Sequence, residues 1–93
     1  LDDLIYKQIV SLVYYSSGLL IAKRDYYKVK AGKELGNLRS DGYKTVFFKG
    51  KRYLIHRLVW LYFNGRFPDK NLDHIDGNRA NNRISNLREA NWS

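Results

Sequence analysis

Leu72-Asp73-His74-Ile75-Asp76-Gly77-Asn78-Arg79-Ala80-Asn81-Asn82-Arg83-Ile84-Ser85-Asn86-Leu87 is a short apolar run, a polar loop crowded with asparagine, and a return to apolar residues. It predicts a short strand, a loop and the approach to a helix. Three side chains stand out: the carboxylate Asp73, the adjacent His74, and Asn86 twelve positions on, just before Leu87.

Those three residue types match what hydrolysis of a phosphodiester requires. A water must lose a proton as it attacks phosphorus, and a neutral histidine takes that proton well near neutral pH. A divalent cation stabilises the charge that develops on phosphorus and on the leaving oxygen. Mg²⁺ wants oxygen ligands, so Asp73 is the candidate anchor. An Asn carbonyl accepting the other ring N–H would fix the histidine tautomer, and Asn86 is the candidate. Neighbours in a strand point to opposite faces, so Asp73 and His74 serve one site only if the strand ends or kinks there. Asp76-Gly77 suits such an end. The plainer reading of Asn78, Asn81 and Asn82 is turn chemistry, since Asn bonds its own backbone and tolerates left-handed conformations. A calcium loop fails: Gly77 at its sixth position would put Leu72 first and Arg83 twelfth.

Upstream, His56 to Asn64 predicts a buried helix with Gly65 as a left-handed cap, a strand being the alternative. Before it, Tyr43 to Lys49 and Lys51 to Ile55 predict a hairpin turning at Lys49-Gly50. Tyr43, Thr45, Phe47 and Lys49 share one face of it; Lys44, Val46 and Phe48 share the other. Residues 25–42 are polar and glycine-bearing and read mostly as loop, with a short strand near Leu35 to Leu38. Leu19 to Lys23 predicts a strand after a turn at Ser16-Ser17-Gly18. Residues 1–13 carry Leu1, Leu4, Ile5, Ile9, Leu12 and Val13 on one stripe and predict an amphipathic helix, with Asp2 and Asp3 at its positive end. The fold class is therefore α+β, a small antiparallel sheet with helices.

The chain has 93 residues, 44% hydrophobic and 15% aromatic, enough for one small globular domain with a thin core. It has no cysteine, which excludes disulfides and thiolate zinc sites and fits a cytoplasmic location. No apolar run is long enough to span a membrane, and Leu1-Asp2-Asp3 does not begin a signal peptide. The net charge of +8 is concentrated in the middle: residues 23–70 carry thirteen Lys/Arg against four acids. Such an excess, interleaved with aromatics, points to a polyanion; composition leaves DNA, RNA and an anionic membrane open.

The segment His56-Arg57-Leu58-Val59-Trp60 through Asn64-Gly65, then Asp73-His74-Ile75-Asp76-Gly77-Asn78, then Asn81-Asn82-Arg83-Ile84-Ser85-Asn86-Leu87-Arg88-Glu89-Ala90, closely resembles phage-type HNH endonucleases, among them free-standing and intron-encoded homing enzymes. Gly18-Leu19-Leu20, Gly42-Tyr43 and Gly50-Lys51-Arg52-Tyr53 match the same pattern, so the resemblance runs from about residue 14. It implies a ββα-metal finger, two short strands and a helix around one divalent cation, Mg²⁺ or Mn²⁺. It also implies metal-dependent cleavage of double-stranded DNA. On it, Asp73 resembles the metal ligand, His74 the general base and Asn86 the residue that orients it. Residues 14–55 then form a basic, β-rich DNA-docking part, and 56–93 a helix plus the metal finger. Lys49, Lys51 and Arg52 at the hairpin tip, with Arg57, Arg79 and Arg83, are the expected DNA contacts. The family's third motif residue, an Asn or His on the following helix, falls at about position 95, beyond Ser93. Either the protein continues or its catalysis is impaired; Asn91 is the one internal substitute. The alternative is a catalytically silent HNH-derived module that holds DNA for a larger protein. A phage-encoded enzyme would act in the cytoplasm of a bacterial host.

Overall fold

Twelve buried apolar residues form one core: Ile55, Leu58, Val59 and Leu61 come from the second helix, and Ile9, Leu12, Val13, Leu20, Leu35, Val46, Phe48 and Leu87 complete it. This computed structural model describes residues 2–90. Helix α1 runs Asp2–Leu12 and is followed without a linker by strand β1, Val13–Ser16. Strand β2, Leu19–Ala22, pairs with β1 from Val13↔Ala22 to Ser16↔Leu19. Strands β3 (Asn37–Leu38), β4 (Lys44–Phe48) and β5 (Lys51–Leu54) form a second antiparallel sheet in that order. Helix α2, Ile55–Asn64, follows directly. Strand β6 (Asn71–His74) and strand β7 (Leu87–Ala90) pair antiparallel, with a 3-10 turn at Ile84–Asn86 between them.

The α+β class therefore holds, with the strands divided among three small sheets. The α2 helix buries Ile55, His56, Leu58, Val59 and Leu61. It ends where Gly65, at φ +77°, donates its N–H to the Leu61 carbonyl, the left-handed cap that a side chain would resist. Two residues past that cap, the Asp2 carboxylate accepts the Phe67 N–H at 3.1 Å, tying the start of α1 to the segment that leaves α2.

Two expectations are corrected. The first helix stops at Leu12, and β1 begins where the apolar stripe was expected to continue. Val13-Tyr14-Tyr15 is β-branched and aromatic, and the pairing with β2 outweighs one more helical residue. The second concerns Leu87 onward, where a helix was expected to approach. These residues form β7 instead, because Leu87 pairs with His74 and inserts into the core. The two strands of the expected metal finger are thus β6 and β7. Asn91, and any helix after Ala90, lie outside the described residues.

Candidate active site

Strand β6 ends at His74, and the chain turns at once: Gly77 donates its N–H to the His74 carbonyl at 2.8 Å. The loop that follows is built around Asp76. Its carboxylate accepts from the Asn78 N–H at 2.8 Å, the Asn81 amide at 2.8 Å and the Asn86 amide at 2.9 Å. These donors, the Asn81 amide foremost, hold the Asp76 carboxyl below the usual carboxylate range. The Asn78 Oδ1 accepts the Ala80 N–H at 3.0 Å and the Asn81 Oδ1 the Arg83 N–H at 3.4 Å, the turn chemistry expected of them.

Asn82 plays a different part. It is 1% exposed, and its Oδ1 lies 2.9 Å from His74 Nε2. Asn86, expected to orient the histidine, spans the loop base instead. Its Oδ1 accepts the Asp76 N–H at 3.0 Å, and its Nδ2 donates to Asp76 and to the Asn81 carbonyl. The reason is local: Asn86 closes the 3-10 turn with its amide across the neck of the loop, whereas Asn82 enters the fold beneath the imidazole. No spacing rule separates Asn82 from the other asparagines of this loop; its contact with the imidazole does.

His74 is itself buried and shares its surroundings with His56, whose ring lies 4.9 Å away and nearly perpendicular, and with Tyr43 at 6.1 Å. Burial, and secondarily the neighbouring His74 and Arg57, push His56 down to about 4, so it is neutral at physiological pH. A cleft of about 290 Å³ opens beside the cluster, lined by Tyr43, Leu54, His56, Arg57, Asn71 and Leu72.

Asp73 takes no part in this ring cluster, yet β6 ends at His74 and the chain turns there, the condition for the two side chains to serve one site. Asp73 pairs with Arg88 across the ladder, and the Arg88 Nε and Nη2 donate to its Oδ2 at 3.1 and 3.0 Å. Among the described residues no three His, Cys, Asp or Glu side chains come together as a metal cluster.

The expected DNA contacts divide into two sets. Lys49, Lys51, Arg52 and Arg57 lie over the Phe48, Tyr53, Phe47 and Phe67 rings, and none is in a salt bridge among the described residues. Their charges are free to meet phosphates. Arg79 and Arg83 serve the fold: Arg79 donates to the Asp41 carbonyl at 2.9 Å and caps the Tyr43 ring at 4.9 Å. The backbone of Arg83 abuts Gly18, and its Nε reaches the Ser17 carbonyl at 3.4 Å. The β1–β2 hairpin also supplies the Tyr15 hydroxyl, which accepts the Ile84 N–H at 3.1 Å. Together these contacts press the loop after His74 against the rest of the molecule.

Residues 53–92 match a family profile described as HNH endonuclease. The chain is 39% identical over 70 residues to the DNA endonuclease I-HmuI of Bacillus phage SP01, an alignment covering 69% of this chain and 40% of that protein. A solved structure described as DNA binding and cleavage by the HNH homing endonuclease I-HmuI matches at a TM-score of 0.54 and 34% identity. It covers 80% of this chain and 42% of the other. The chain therefore spans about two fifths of the length of the relatives it matches.

Proposed function

From the match of residues 53–92 to the HNH endonuclease profile, we propose that the chain hydrolyses phosphodiester bonds of duplex DNA with His74 as general base and a divalent cation anchored at Asp73. The observation that carries this reading is the buried His74 held through Nε2 by Asn82, one residue after a half-buried carboxylate. With the Asn82 amide oxygen accepting, Nε2 would carry the ring proton and Nδ1 the lone pair. Nδ1 is then the atom that takes the proton of the attacking water. Asn82 fixes the tautomer, and the walls of His56 and Tyr43 restrict the ring.

Asp73 suits a hard cation as a single anchor. Arg88 bonds only Oδ2, and Mg²⁺ retains several waters and commonly takes one or two carboxylates beside substrate phosphates. When bound there, Mg²⁺ or Mn²⁺ would supply charge stabilisation at phosphorus and the departing oxygen. The Lys49, Lys51, Arg52 and Arg57 cations would hold the flanking phosphates, which fix register and carry little sequence information. Asn86 contributes indirectly, by closing the loop that carries Asn82.

A second reading, a DNA-holding module without turnover, is favoured because no three His, Cys, Asp or Glu side chains gather as a metal cluster among the described residues. Nicking of supercoiled plasmid with Mg²⁺ or Mn²⁺, beside an EDTA control and an Asp73→Asn variant, separates the two. Cleavage abolished by both EDTA and the substitution supports the nuclease. DNA retention with no cleavage under any metal supports the module.

A further inference from the structure

Asp73 and Arg88 face each other in the β6–β7 ladder, and both guanidinium bonds go to one oxygen, Oδ2. Among the described residues the other oxygen, Oδ1, accepts no hydrogen bond, and Arg88 Nη1 donates none. Exposure is uneven: the Asp73 side chain is 28% exposed and that of Arg88 61%. A half-buried carboxylate needs a compensating charge, and Arg88 supplies it. A divalent cation approaching Oδ1 would meet that same positive charge a few ångströms away.

We propose that Arg88 is a resident counter-ion of the Asp73 site, which competes with the divalent cation in the DNA-free protein and transfers to a DNA phosphate when the cation binds. The inference rests on the reading of Asp73 as the cation's anchor. Its physical steps are short. A compact double charge on Oδ1 outweighs a half-solvated guanidinium on Oδ2, and like charges sharing one carboxylate repel. The displaced side chain is long and exposed, with five donors suited to the oxygens of a phosphate. DNA contact through Arg88 is therefore conditional on the cation, and cation and DNA raise each other's affinity through this one residue.

The test replaces Arg88 by Met, which keeps the stem and removes the charge, and by Lys, which keeps the charge. Mn²⁺ is titrated into the DNA-free proteins, with free ion followed by electron paramagnetic resonance and folding checked by circular dichroism. Arg88→Met should bind Mn²⁺ roughly threefold to fivefold more tightly than the parent, as expected for removal of a partly exposed ion-pair partner. Arg88→Lys should stay within about twofold of the parent, because the competing charge remains. In a His74→Ala background, which stops cutting, the gain in duplex affinity brought by Mn²⁺ should shrink when Arg88→Met is added. Equal or weaker Mn²⁺ affinity in Arg88→Met overturns the proposal, as does a full Mn²⁺-dependent gain in DNA affinity without Arg88. An Asp73→Asn arm separates the two levels. If Asp73→Asn binds Mn²⁺ as well as the parent does, the assignment of Asp73 itself fails. If Asp73→Asn loses Mn²⁺ while Arg88→Met matches the parent, only the role of Arg88 fails.

Discussion

Four asparagines crowd the loop after His74, and Asn82 is the one that reaches the imidazole. Asp73 and His74 were singled out in the sequence as an adjacent carboxylate and histidine at an expected strand end, and β6 does end at His74. Asn82 was not, because Asn78, Asn81, Asn82 and Asn86 are equivalent by composition and differ in the partners the fold gives them. The expected consequence is that Asn82→Ala lowers kcat by about 10²-fold or more with DNA affinity nearly unchanged, since a misplaced base costs on that order. Asn82→Asp should cut better than Asn82→Ala, with its pH optimum moved upward, because an added negative neighbour favours the imidazolium. A pH–rate profile of both variants checks this; an unmoved optimum in Asn82→Asp would mean that residue 82 does not bond the base. His56 gives a prediction about stability. Its native value near 4 lies below the ordinary 6.5, so between those pH values the unfolded chain takes up a proton that the native one refuses. Stability is then complete above about pH 6.5 and falls on acidification, by roughly 2 kcal/mol at pH 5. Urea unfolding from pH 7 to 5 should show that loss in the parent and less of it in His56→Phe.

At the scale of elements, the β4–β5 hairpin, the α2 helix and its Gly65 cap follow from local signals that agree with one another: a Lys-Gly turn, a run of apolar residues, and a glycine at the break. The β1 strand was hidden because Val13 satisfies a helical stripe and a strand alternation equally well. β7 was hidden because its partner, β6, lies a full loop away in sequence. The β1–β2 hairpin has a function that the sequence does not display, bracing the loop after His74. Gly18 is the point of contact: at φ +90°, a Cβ there would stand 2.8 Å from the Arg83 nitrogen. Gly18→Ala should therefore destabilise the protein by about 1–3 kcal/mol, from backbone strain and the clash together. It should also depress kcat by loosening the loop that carries Asn82. Thermal unfolding and single-turnover cleavage measure the two effects; a variant as stable and as fast as the parent would remove the hairpin from the account.

Over the whole molecule, an elongated body of 40 × 28 × 23 Å carries its charge excess in residues 23–70, and the free cations of the β4–β5 tip and α2 belong to that segment. The location of this excess was legible from counting; its division into paired and free charges was not, because Lys44–Glu34 and Arg39–Asp41 are set by the fold. Replacing Lys49, Lys51 and Arg52 together by Ala should flatten the dependence of log affinity on log salt by roughly 2.7 units, the loss of three phosphate contacts. An unchanged slope would put the DNA surface elsewhere. The central claim, that His74 is the base of a DNA-cutting site, is tested most directly by His74→Ala in single-turnover cleavage of duplex DNA with Mg²⁺ or Mn²⁺, with binding to the same duplex measured alongside. The account predicts a rate about 10²–10⁴-fold lower at nearly unchanged DNA affinity. A variant that cuts within a few-fold of the parent would contradict it.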